Sequence, residues 1–168
     1  PGMLASAPRA LVASAAINSF ATAVEGLMSR TGNPMADALL MHAVRLFGGH
    51  LVEPDRLDEP EVRGELMLAA LLAGQGTDHT GAGITTVLGH AIGARHHVDN
   101  GIVNAIAMPH VLAFNADAAP AKRRVLFDAS PPTALPVVKP LAPPVASGQA
   151  HDDPQRNFRF FDNRQKYL

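Results

Sequence analysis

An all-α fold is predicted by three observations. Apolar residues recur at the three-to-four spacing of a helix in successive stretches, no segment alternates apolar and polar residues as a half-buried strand would, and capping residues and glycines fall where such stretches begin and end. A chain of 168 residues is also long enough for one domain with a real core.

In chain order, residues 1–13 are small and mixed, with Pro8 and no clear period, and read as a connector. Ile17, Phe20, Ala21, Val24 and Met28 then make an apolar stripe, while Asn18, Thr22, Glu25 and Ser29 share a polar line, so the first helix is amphipathic and ends around Ser29 to Gly32. Glu25, one face from Asn18, is read as serving helix contacts. A second helix opens with Asn33 as cap and Pro34 at the first helical position. Met35, Leu39, His42, Ala43 and Leu46 are expected on its buried side, with Gly48-Gly49 as its left-handed stop. The acidic, proline-bearing stretch from Glu53 to Glu61 reads as a surface loop. The third helix, Glu61 to Ala73, is so apolar that a central place in a bundle is expected. Gly74 and Gly76 follow a helix rather than a strand, so they are not a dinucleotide-binding fingerprint.

Gly81 to Asn115 carries most of the chemically versatile side chains. Ile84, Val87, Leu88 and Ala91 recur at helical spacing, Thr86 and His90 lie four apart on another stripe, and a stop is expected near Gly93. A further helix follows Asn100-Gly101 through Ile102, Val103, Ile106 and Val111, with Pro109 inside it and a kink expected near Ala105 to Pro109. The link from Ala94 to Asn100, with His96 and His97, is held between two buried helices, where functional loops tend to sit.

Charge and composition exclude several classes. Lys and Arg total 14 against 15 Asp and Glu, so nothing points to nucleic acid or an acidic membrane surface. Without cysteine there are no disulfides and no thiolate metal sites. No apolar run is read as approaching the roughly 20 residues that span a bilayer, no signal peptide is recognised, and a cytoplasmic protein is expected. Pro1 in place of Met reads as the start of a fragment or a processed product. Up to Asn115 there are 6 Lys and Arg against 10 Asp and Glu, whereas the remainder has 8 against 5 and holds 8 of the 14 prolines. Residues 116–168 therefore read as a Pro-rich, disordered tail.

Asn18 to Glu25 (NSFATAVE), Asn33 to Leu46 (NPMADALLMHAVRL), Leu68 to Gly74 (LAALLAG) and Gly89 to Asn115, in that order, resemble the helical domain of iron-containing alcohol dehydrogenases and their maleylacetate reductase relatives. The similarity covers roughly residues 1–115, an incomplete helical domain of a partial bundle. Family members continue with more helices, so exposed apolar surface is expected. The resemblance implies an NAD(P)-dependent oxidoreductase, with the cofactor bound between this domain and a preceding α/β domain, a divalent metal polarising the substrate oxygen, a small-molecule substrate and a homo-oligomer. It places the metal ligands at Asn18, Thr22, Thr86 and Asn100, where the usual Asp and His are absent, so Fe(II) or Zn(II) is expected to be held poorly. The same four groups are instead suited to hydrogen-bonding a carboxylate substrate. By the same matching His90 lies near the substrate, as a candidate catalytic residue, and His97 in the link is a candidate for substrate binding. His42 and His110 read as structural, and His79 beside Asp78 as a weak metal pair. The competing reading is a catalytically inactive helical remnant or interaction module without metal or cofactor.

Overall fold

The computed structural model describes residues 2–31 and 33–115. After a 3-10 turn at Gly2–Leu4 come α1 (Arg9–Leu27), α2 (Pro34–Leu51), a second 3-10 turn (Pro54–Asp58), α3 (Pro60–Thr80), α4 (Ile84–His96) and α5 (Asn100–Phe114). The described residues contain no strand, as expected of an all-α bundle. The tail expected over 116–168 lies outside the described residues.

The first helix starts at Arg9 rather than near Ile17. The carbonyl of Pro8 accepts from the amides of Leu11 and Val12, and the alanine-rich run that follows is a strong helix former that needs no amphipathic period. α1, not α3, is the central helix, packing against α2, α3, α4 and α5. Ala16, Ala21, Ala23 and Gly26 are buried along it, and such small residues let neighbouring backbones approach. At 19 residues α1 is long and apolar enough to cross a membrane by length and composition, contrary to the sequence reading, but half of it is buried among the other helices. α3 instead leaves Met67, Leu68 and Leu71 exposed, and α5 leaves Ile102, Ile106 and Phe114 exposed.

The start of α2 is as expected: the Asn33 side chain accepts from the amides of Met35 at 3.0 Å and Ala36 at 3.3 Å, with Pro34 next in line. Its buried stripe is Ala36, Leu40, Ala43, Val44 and Phe47, one residue out of phase with the expected one, which is about 100° around the helix. Met35 and His42 are consequently exposed. Gly48-Gly49 does not stop α2, and Gly76 lies inside α3. The reason is packing: Gly48 is buried, and a Cβ on Gly76 would lie 2.5 Å from Leu40 Cγ, so the absent side chain admits the neighbouring helix. A glycine stop with positive φ falls instead at Gly81, at the end of α3, with φ 78°.

Phe20 and Phe47 meet edge to face in the core, their ring centroids 6.2 Å apart. Around them lie Leu27, Leu40, Val44, Leu66, Met108 and Leu112, each worth about 1.5–3 kcal/mol on burial. The stretch expected as a plain surface loop folds as the second 3-10 turn and buries Leu57. It is held by Arg63, a buried residue of α3, whose Nε donates to the Leu57 carbonyl at 2.8 Å. The same guanidinium donates to Asp58 at 2.8 Å and reaches the carbonyls of Leu4 and Ala5 in the first turn.

Candidate functional site

The elements that carry the candidate residues are α1, α4 and α5. α4 runs past Gly93 to His96, and the chain turns at His97 in the left-handed conformation, φ 54° and ψ 38°. Gly93 is not a stop because it is a contact: both Gly89 and Gly93 are buried against α5. A Cβ on Gly89 would lie 2.5 Å from Asn104 Oδ1, and one on Gly93 would collide with Asn100 Oδ1 and lie 2.8 Å from the Val98 carbonyl oxygen. Two glycines four apart on one helix thus receive two asparagines four apart on the next. α5 itself continues through Pro109 to Phe114.

Three polar contacts tie these helices pairwise. Asn104 Nδ2 of α5 donates to Asn18 Oδ1 of α1 at 2.9 Å. Asn100 Nδ2 of α5 lies 3.2 Å from His90 Nδ1 of α4, so the ring nitrogen accepts. Glu25 of α1, buried to 5 % exposure, accepts from the amides of Thr85 at 2.5 Å and Thr86 at 3.2 Å and from the Thr86 hydroxyl at 2.9 Å. This agrees with a role for Glu25 in helix contacts. Because Gly83, the residue before α4, has no side chain to cap with, the Glu25 carboxylate supplies the cap from another helix and complements the dipole.

An open cleft of about 500 Å³ lies where the start of α5 meets α1 and the α4–α5 link, lined by Ser14, Asn18, His97, Asp99 and Asn100 among others. Asn18, Asn100 and His97 are therefore brought together, with exposed His90 joined to them through Asn100. Thr22 and Thr86 do not line this cleft. The Thr22 hydroxyl donates to the Asn18 carbonyl at 2.9 Å within α1, and Thr86 is turned to Glu25.

This arrangement does not fit Fe(II) or Zn(II) at the four implied positions. The donors are neutral amide and hydroxyl oxygens, and each side chain is engaged in a protein hydrogen bond. Among the described residues no group of three or more His, Cys, Asp or Glu is placed to hold a metal ion. Two buried polar atoms nearby have no partner among the described residues: Asn104 Oδ1, which faces Gly89 rather than the cleft, and the Thr85 hydroxyl at the start of α4.

The remaining histidines are displaced from their expected settings. His110, expected to pack in the core, is exposed, because Met108 and Leu112 on the other side of α5 take the buried face. His79 and Asp78 lie on the last turn of α3, both exposed, and adjacent helical residues diverge by about 100°, which spoils them as a pair of ligands. Asn104 was missed by the sequence reading. Its signal was the matched spacing of Gly89 with Gly93 and of Asn100 with Asn104.

Residues 12–129 match the family model for the Fe-containing alcohol dehydrogenase family, C-terminal. The 1,3-propanediol dehydrogenase of Klebsiella pneumoniae is 31% identical over 73% of this chain and 32% of its own length. A crystal structure of a 1,3-propanediol oxidoreductase superposes with a TM-score of 0.71 at 27% identity, over 80% of this chain and 37% of that one. The maleylacetate reductase of a Rhizobium strain, at 22% identity, shares the fold with a TM-score of 0.64 over 74% of this chain and 36% of that one. The chain thus spans about a third of the length of the curated relative it matches. With its all-helical body and its match through most of its length, the chain belongs to the Fe-containing alcohol dehydrogenase family, as that family's C-terminal domain.

Proposed function

We propose that this chain is the helical part of an NAD(P)-dependent oxidoreductase that interconverts an alcohol and a carbonyl or reduces a maleylacetate-like oxoacid. The observation that carries the reading is the cleft between α1, α5 and the α4–α5 link, where Asn18, His97 and Asn100 converge and Asn100 orients His90. An imidazole whose Nδ1 accepts a hydrogen bond carries its proton on Nε2 when neutral, so His90 presents a donor to a substrate oxygen. His97 and the two asparagine amides supply further polar contacts for the substrate. NAD(P)H, when bound, supplies the hydride. The described residues include no phosphate-cradling glycine loop, so the proposal places the nicotinamide cofactor on parts of the protein that this chain does not span. It also places the protein in the cytoplasm, acting on a small molecule as a homo-oligomer, without nucleic acid or membrane as partner.

A second reading, an inactive helical module, is favoured by the engagement of the four implied ligand side chains in internal hydrogen bonds. Expression with whatever coding sequence lies upstream, followed by NAD(P)H oxidation assays on short aldehydes and maleylacetate, separates the two. The first reading expects turnover that falls about 100-fold in His90→Ala, the scale of a lost general acid. Absence of turnover with every substrate and both cofactors leaves the second.

A further inference from the structure

We infer that, in this chain, the positions where the family resemblance places metal ligands form an ion-free hydrogen-bonded seam that joins α1, α4 and α5. The three contacts close a triangle. Glu25 with Thr86 joins α1 to α4, Asn18 with Asn104 joins α1 to α5, and Asn100 with His90 joins α5 to α4. Three of the four implied ligand positions, Asn18, Thr86 and Asn100, each supply one side of the triangle, and the fourth, Thr22, returns its hydroxyl to its own helix.

Two features make the seam a built arrangement. The Glu25 carboxylate and the Asn104 side chain are buried, at 5 % and 0 % exposure; a buried polar group is costly unless it is hydrogen-bonded, and the Glu25 oxygens and Asn104 Nδ2 are, while Asn104 Oδ1 lies against Gly89. Gly89 and Gly93 then admit the asparagine oxygens to contact with the α4 backbone, a distance that any side chain there would prevent. A divalent ion at these positions would join the same three helices through carboxylate and imidazole ligands. Here neutral amides, a hydroxyl and a carboxylate at a helix start do so, and the body owes none of its stability to a metal. The inference is independent of the oxidoreductase reading, because a metal-free reductase and an inactive module would both keep the seam.

The test uses the full chain and reads thermal midpoints and bound metal rather than turnover. Melts are run in EDTA, in Zn(II) and, anaerobically, in Fe(II), alongside calorimetric titration with each ion. The seam predicts one midpoint under all three conditions. A micromolar site would raise it by roughly 10 °C at hundredfold ligand excess. Asn104→Ala is expected to lower the midpoint equally with and without metal. Should that variant not fold, Asn100→Ala and His90→Ala, at the more exposed corner, carry the same expectation, and their double variant is expected to lose less than the sum of the two. Stoichiometric binding tighter than about micromolar that disappears in Asn18→Ala or Thr86→Ala would overturn the inference, as would corner variants that melt like the parent.

Discussion

Glu25 closes the start of α4 from across the bundle: its two carboxylate oxygens take the amides of Thr85 and Thr86, 60 and 61 residues away in sequence. Removing that carboxylate leaves amides of a first helical turn without acceptors inside the protein. Glu25→Ala is therefore expected to cost about 1–3 kcal/mol in urea unfolding, and Glu25→Gln, which keeps an acceptor without the charge, less. Equal stability of parent and Glu25→Ala would show that water replaces the cap without loss.

Glycine-to-alanine changes on helices should differ in sign by position. In Gly89→Ala the new methyl meets Asn104 Oδ1 at 2.5 Å, and overpacking of about 1–3 kcal/mol outweighs the roughly 1 kcal/mol gained in helix propensity. Gly74, inside α3, has nothing within 4 Å of such a methyl, so Gly74→Ala should stabilise by up to about 1 kcal/mol. Chemical denaturation of the two variants side by side checks this, and a shared sign would remove the close α4–α5 approach from the account.

The Asp58 carboxyl is held below the usual carboxylate range, first by the hydrogen bond from Arg9 and then by that from Arg63. A depressed carboxylate contributes stability that is present above its unfolded pKa, near 4, and lost as pH falls through the lower folded value. Thermal midpoints of the parent are accordingly expected to fall more steeply below about pH 4 than those of Asp58→Asn. Parallel curves would mean that the pairing with Arg9 is too solvent-screened to matter.

Asn33 offers a simpler case, because its side chain alone serves the amides of Met35 and Ala36. Asn33→Ala should lose about 1 kcal/mol, and Asn33→Ser or Asn33→Asp most of that no longer. Circular dichroism melts of the three variants would reveal a cap that matters little if all of them coincide.

The start of α2 was legible in the sequence because a capping signal is local: Asn33 and Pro34 act on residues two or three places away. Glycines misled for the opposite reason. Gly48, Gly76 and Gly93 look like stops along the chain, yet each lies inside a helix and is buried. The phase of α2 went astray by one residue because Met35 and Leu46 are as apolar as the residues that actually face α1 and α3. Of the candidate site, Asn18, His90, His97 and Asn100 were nominated by the family resemblance and not by any local signal. That Glu25 would cap α4, or that Asn104 would meet Asn18, could not be read at all, since those partners come together only once the bundle has formed.

The contact between Asn18 and Asn104 spans 86 residues, whereas α2 with α3 and α4 with α5 pair as neighbours along the chain. Loop closure over such a length is entropically slow to be repaid, so the two helical pairs are expected to form early and the docking of α5 on α1 late. Asn104→Ala should then speed unfolding far more than it slows folding, the kinetic mark of a contact absent from the transition state. The lifetime of the folded chain, more than its rate of formation, would then depend on how firmly α5 is docked on α1.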